Sequence, residues 1–110
     1  MLIRFMIAAI LCVSWPSLAL PQPFVIVGLG SQKCKVISDM ATQPGLRDNL
    51  INWMQGFLSG MNQITMMRDN AFKDLGSLTS NAHFEIVLSK CKDDPEKSFW
   101  IAIMNLADML

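Results

Sequence analysis

The sequence predicts an all-α fold, a small helical domain of about four helices with one disulfide. Three observations predict it. Apolar residues recur at threes and fours through the middle and end of the chain. Capping residues and breakers bracket those runs. Two cysteines remain once an exported N-terminal segment is set aside.

That segment comes first. Met1 to Arg4 is a short stretch with one positive charge, Phe5 to Val13 is an apolar run, and Ser14 to Ala19 holds the helix breaker Pro16 with small residues at Ser17 and Ala19. The pattern predicts a secretory signal peptide over 1–19, cut after Ala19, and a single helical domain over 20–110. The apolar run is too short for a spanning helix, which needs about 20 apolar residues, and Pro16, Pro21 and Pro23 interrupt any extension. The expected location is therefore the periplasm or outside the cell, without stable membrane insertion after cleavage. Cys12 leaves with the signal. Cys34 and Cys91 remain, an even count in an exported chain, and pair as a disulfide.

After cleavage, eight Lys and Arg face nine Asp and Glu, leaving about −1 at pH 7. No basic face for nucleic acid exists in such a chain, and the high apolar share argues for one compact domain.

Leu20 to Pro23 reads as a Pro-rich exit segment. Phe24 to Ser31 (FVIVGLGS) resembles a strand entering a dinucleotide-binding turn. The third glycine of that fingerprint would fall where Lys33 stands, and no alternation of strands and helices follows. The stretch is read instead as an extended lead-in. Cys34 to Ala41 forms a short helix, and Thr42 to Gly45 a break. Leu46, Leu50, Trp53, Met54, Phe57, Met61 and Ile64 then mark one apolar stripe of a helix over about 46–67. Within it Gly56 and Gly60 each disfavour a helix interior by about 1 kcal/mol. Either another helix crosses closely there, or Gly56, Ser59 and Gly60 form a notch facing a partner. Residues 69–79 are irregular. Ser80 or Asn81 caps a helix from Ala82 to about Cys91, with Phe84, Val87, Leu88 and Cys91 inward. Asp94 as cap, Pro95 at the first helical position and Glu96 in the first turn predict a last helix over about 95–109. Its stripe holds Phe99, Ile103, Leu106 and Leu110, with Trp100 and Met104 beside it.

Catalytic groups are thin, and the chain is not read as an enzyme. His83 is the sole histidine; in the first turn of its helix it is expected to be solvated or capping. A Cys91–His83 pair would stand about 12 Å apart along the helix, beyond the hydrogen bond that a nucleophile and its base need. There is no G-x-S-x-G elbow. Seven methionines in the mature chain raise copper handling, but most fall on core stripes. Asp93–Asp94 is explained by its capping position. No cofactor and no metal are expected.

An early cysteine, then W-x-x-G-F-L-S-G-x-N (Trp53 to Asn62), then I-V-L-S-K-C-K-D-D-P (Ile86 to Pro95) with an amphipathic helix after it, resembles a group of small exported bacterial proteins. That group looks related to the HdeA/HdeB acid-stress chaperones. The resemblance implies an all-α periplasmic domain with one disulfide, often dimeric, that loosens in acid and holds unfolding clients on exposed apolar surface. The surfaces for a protein partner or clients would be Trp53, Gly56, Phe57, Gly60, Phe99 and Trp100. The alternative is an immunity or inhibitor protein bound to one secreted effector enzyme, since Tai-type immunity proteins share the small size, signal peptide and disulfide.

Overall fold

The computed structural model describes residues 25–110. The signal peptide and the exit segment expected over 1–23, with Phe24 and Cys12, lie outside the described residues. Among those described, the chain forms four α-helices and no strand: α1 (Cys34–Met40), α2 (Pro44–Asp69), α3 (Ser80–Asp93) and α4 (Phe99–Ala107). No helix among them is long and apolar enough to cross a membrane.

The first helix begins at Cys34, as its sequence predicts. The long one extends two residues beyond each predicted end. Pro44 occupies its first position, where the missing N–H is harmless. Asn70 ends it in the left-handed conformation with φ 51°, donating its N–H to the Met66 carbonyl at 3.0 Å. At 26 residues α2 is about 39 Å long. Only Leu50, Met54 and Leu58 on it are fully buried, so its C-terminal half outruns the core. The cap of α3 is Thr79, neither Ser80 nor Asn81: its hydroxyl accepts from the Ala82 N–H at 3.1 Å.

The last helix corrects a sequence expectation. It starts at Phe99, not at Pro95. The Asp94–Pro95–Glu96 signal is locally sound, but the carbonyls that would begin that helix are used elsewhere. Pro95 and Lys97 accept the N–H groups of Lys35 and Cys34 at 2.9 and 2.8 Å. Those are orphan donors at the start of α1, which has no side-chain cap. Phe99 N–H returns a bond to the Gln32 carbonyl at 2.8 Å, and Lys33 and Ser98 form an antiparallel bridge. Thus residues 94–98 cap α1 from 60 residues away instead of extending α4.

The same corner carries the disulfide. Cys34 and Cys91 are bonded, with Cα atoms 4.8 Å apart and both residues buried. Around it sit Ile37, Phe84, Val87, Phe99, Ala102, Ile103 and Leu106, all inaccessible to solvent. Above it, Glu96 accepts from Lys33 at 2.8 Å and pairs with Lys35 at 3.1 Å. The hydrogen bonds from Lys33 and Lys35 hold the Glu96 carboxyl below its ordinary value of 4.5. A lowered folded pKa contributes stability above pH 4.5 and loses it as pH falls through the folded value. Glu96→Gln is therefore expected to lose the part of the acid-unfolding slope that lies below pH 4.5 and to leave the slope above it unchanged. Urea titrations across that range check this.

On the opposite flank Arg47 of α2 lies 4.8 Å from the centre of the Phe84 ring and pairs with Glu85 at 2.6 Å. This joins α2 to α3 at its capped end.

His83 differs from its expected solvated or capping place. It is 1% exposed, and neither ring nitrogen has a hydrogen-bond partner. The reason is its position four residues before Val87 and eight before Cys91, on the inward stripe of α3. Thr79 does the capping instead.

Candidate functional site: an apolar groove on α2

The glycine pair at the head of the described chain prepares the site. Val25 to Val27 is extended, as expected, but Gly28–Ser31 closes into a single 3₁₀ turn. Gly28 takes φ +78°, a left-handed value that suits glycine. Gly30 is buried flat against the indole of Trp53, and a Cβ there would overlap the ring. The G-L-G that resembles a nucleotide turn is the seat of a tryptophan. Gly30→Ala is expected to destabilise by about 1–3 kcal/mol through overpacking, as thermal unfolding will register.

Seating Trp53 this way builds a groove. It is lined by Val25, Ile26 and Val27 on one wall and by Asn52, Trp53, Gly56 and Phe57 of α2 on the other, and its volume is about 450 Å³. Trp53 stacks on Phe57, with ring centres 5.2 Å apart and planes 15° from parallel. Behind it lies Phe99, 5.8 Å away. The aromatic wall is therefore braced from the core yet half-exposed at its face. Val25 and Val27 are 70% and 75% exposed, an unusual placement for two valines unless something covers them.

The groove continues along α2. Gly56 and Gly60 are exposed, and a Cβ built on either meets nothing within 4 Å. The close helix crossing, one of the two explanations for these glycines, does not occur within the domain. What remains is a bare notch at the groove's edge. Beyond it Ile64 and Met67 are 63% and 81% exposed. From Asn49 to Met67 the helix carries no charged residue at all, although half of that surface faces outward.

A second cleft, about 340 Å³, lies between the far half of α2, the connection before α3 and the end of α4. Its floor includes Leu58, Met61, Leu75 and Met104, and its rim Thr65, Arg68 and Asp108. Asn62 fastens the connection there, accepting the Lys73 N–H at 2.8 Å and donating to the Lys73 carbonyl at 2.7 Å. Arg68 and Asp69 pair at 2.8 Å on the surface, and the Arg68 hydrogen bonds draw the Asp69 carboxyl below its ordinary value.

Of the residues expected to meet a partner, Trp53, Gly56 and Phe57 line the groove and Gly60 follows one turn later. Phe99 is wholly buried behind Trp53 and supports the wall without reaching its surface. Trp100 is half-buried on α4 and is not among the groove's lining residues. The valine wall was not anticipated, because an apolar run before a glycine turn carries no sign of which helix it will face. Among the described residues no group of three His, Cys, Asp or Glu side chains could hold a metal ion.

No protein-family model matches the chain, and neither the curated proteins nor the solved structures provide a match.

Proposed function

We propose that this is a non-catalytic binding protein of the exported compartment, HdeA-like in its mode of action, that takes apolar segments of other proteins in the groove on α2. One observation carries the reading: a braced, half-exposed Trp53–Phe57 wall faces exposed Val25 and Val27, beside two open glycines on an uncharged stretch of helix. Aromatic anchors without nearby charge are what the centre of a protein-binding surface requires.

Acid supplies the trigger in this reading. Near pH 2 carboxylates are largely protonated. Eight Lys and Arg, His83 and the amine left by cleavage after Ala19 then give about +10 on the mature chain. Self-repulsion pushes the helices apart, while Cys34–Cys91 limits the expansion. Trp53 and Phe57 are exposed further, and Phe99 and Trp100 join them. The test compares apolar-dye binding and suppression of aggregation of an acid-denatured client at pH 2–3 and pH 7. Strong activity only in acid supports the chaperone. A domain that stays closed and inert in acid excludes it.

The groove's existence in the folded domain favours a second reading, an immunity or inhibitor protein with one cognate secreted enzyme. Such a protein would bind at pH 7 and ignore denatured clients.

Both readings share a consequence at Gly60. Because a side chain there meets open space, Gly60→Leu is expected to fold normally and to be stabilised by up to about 1 kcal/mol through helix propensity. Binding should nevertheless weaken, since the notch is filled. Melting and dye or client titration on the same variant separate the two effects, and unimpaired binding would remove the notch from the site.

A further inference from the structure

We propose that His83 is an acid-sensitive latch: the closed domain holds its imidazole only as the neutral ring, so mild acid favours a form in which α3 has moved off its neighbours. The device goes beyond the choice between client and cognate partner, and it works in the isolated protein.

The geometry is that of a polar ring sealed into a core. His83 is 1% exposed, and both Nδ1 and Nε2 lie buried without a hydrogen-bond partner. A neutral imidazole already loses one donor–water and one acceptor–water bond there. An imidazolium has two N–H donors and a charge, and it needs acceptors for all of them.

The surroundings offer none. α3 packs against α4, α1 and α2. α4 has no charged residue from Phe99 to Ala107, and Asp108 after it is exposed. α1 brings Lys35 and Asp39, both exposed. α2 brings exposed Asp48, Arg68 and Asp69, and half-buried Arg47, a cation already held by Glu85. On α3 itself, Glu85, Lys92 and Asp93 are exposed and Lys90 is half-buried. The connection ahead of α3 carries half-buried Lys73 and exposed Asp74, and the chain's terminal carboxylate is on Leu110. Every side-chain carboxylate on these elements sits on an exposed residue, and none bonds the ring.

Opening releases the ring to water, where an imidazole takes up a proton near pH 6.5, to order of magnitude about the value of a free side chain. The open form then binds more protons than the closed one. Stability falls as pH falls, and the open-to-closed ratio rises by at most about tenfold per pH unit below that point. The window is distinct, because carboxylates such as Glu96 act only below their ordinary value of 4.5. Between pH 6.5 and 4.5 the sole histidine is the one side chain whose charge changes.

Urea unfolding followed by tryptophan fluorescence at pH 7.5, 6.5, 5.5 and 4.5 tests the latch on the wild-type protein, H83M and H83Q. The expected result is a wild-type open-to-closed ratio that rises toward about a hundredfold across the window, with both variants flat. A flat wild-type profile, or variants with the wild-type slope, overturns the proposal. Should the variants fail to fold, the single imidazole is followed by NMR in the wild-type protein. Ring signals that stay constant until the whole domain opens support the latch. A ring that titrates smoothly near pH 6.5 while all other signals hold still overturns it. No client or partner is present in these measurements, so their failure is separate from failure of the binding reading.

Discussion

Replacing Cys91 with Ser is expected to lower stability by about 4 kcal/mol, the chain-entropy value for opening a loop of this length. The bond spans 57 residues, which include all of α2 and nearly all of α3. Small domains have about 5–15 kcal/mol in total, so the variant should lie near the edge of folding at physiological temperature. The loss extends past chain entropy. Cys34 opens α1, and its N–H and that of Lys35 depend on the 95–97 carbonyls for capping. Once the two segments drift apart, α1 has no side chain to cap it. Cys34→Ser should therefore match Cys91→Ser, and the double variant should add little, because each single change already removes the whole interaction. Urea midpoints with and without reductant measure all of this. A wild-type midpoint indifferent to reductant would contradict the prediction.

The elements that depend on local pattern were legible in the sequence. The α2 stripe of Leu50, Trp53, Met54 and Phe57 follows helical periodicity, and the core takes up its centre. The disulfide followed from counting cysteines in a chain expected to be exported. The start of α4 was not legible for a reason that no local rule contains. Asp94, Pro95 and Glu96 satisfy every helix-start preference, yet their carbonyls cap α1. A capping signal reports what a segment could begin, whereas a distant helix with orphan donors decided what it does. His83 was missed because its place in the first turn was given more weight than its spacing from Val87 and Cys91, and spacing was the better signal.

The candidate site was half legible. Trp53, Gly56, Phe57 and Gly60 stand out in one motif because glycine is an expense inside a helix and must be explained. The explanation turned on tertiary structure: the space beside both glycines is open. The facing wall, Val25 to Val27, has no such mark. Its role depends on Gly28 and Gly30 turning the chain so that Gly30 lies under Trp53, a contact between positions more than twenty residues apart.

Phe99→Ala is the substitution expected to do the greatest harm away from the cysteines, about 3–5 kcal/mol for a fully buried aromatic. Its ring has no solvent exposure. It meets Phe84 edge-on at 6.4 Å and Trp53 at a tilt at 5.8 Å, so one truncation breaks two aromatic contacts and leaves a cavity where three elements meet. Its backbone N–H also closes the bond to Gln32 that fixes the corner below α1, and alanine keeps that bond. The loss is thus one of packing, and Phe99→Leu should recover a large part of it. Function should suffer even at temperatures where the variant remains folded, because Trp53 loses the ring behind it and the groove wall is no longer braced. The prediction is checked by urea unfolding of both variants and by binding of an apolar dye at pH 7 well below the unfolding midpoint. A Phe99→Ala protein that unfolds within 1 kcal/mol of the wild type, or that binds the dye at the groove as the wild type does, would show that Phe99 does not support the Trp53 wall.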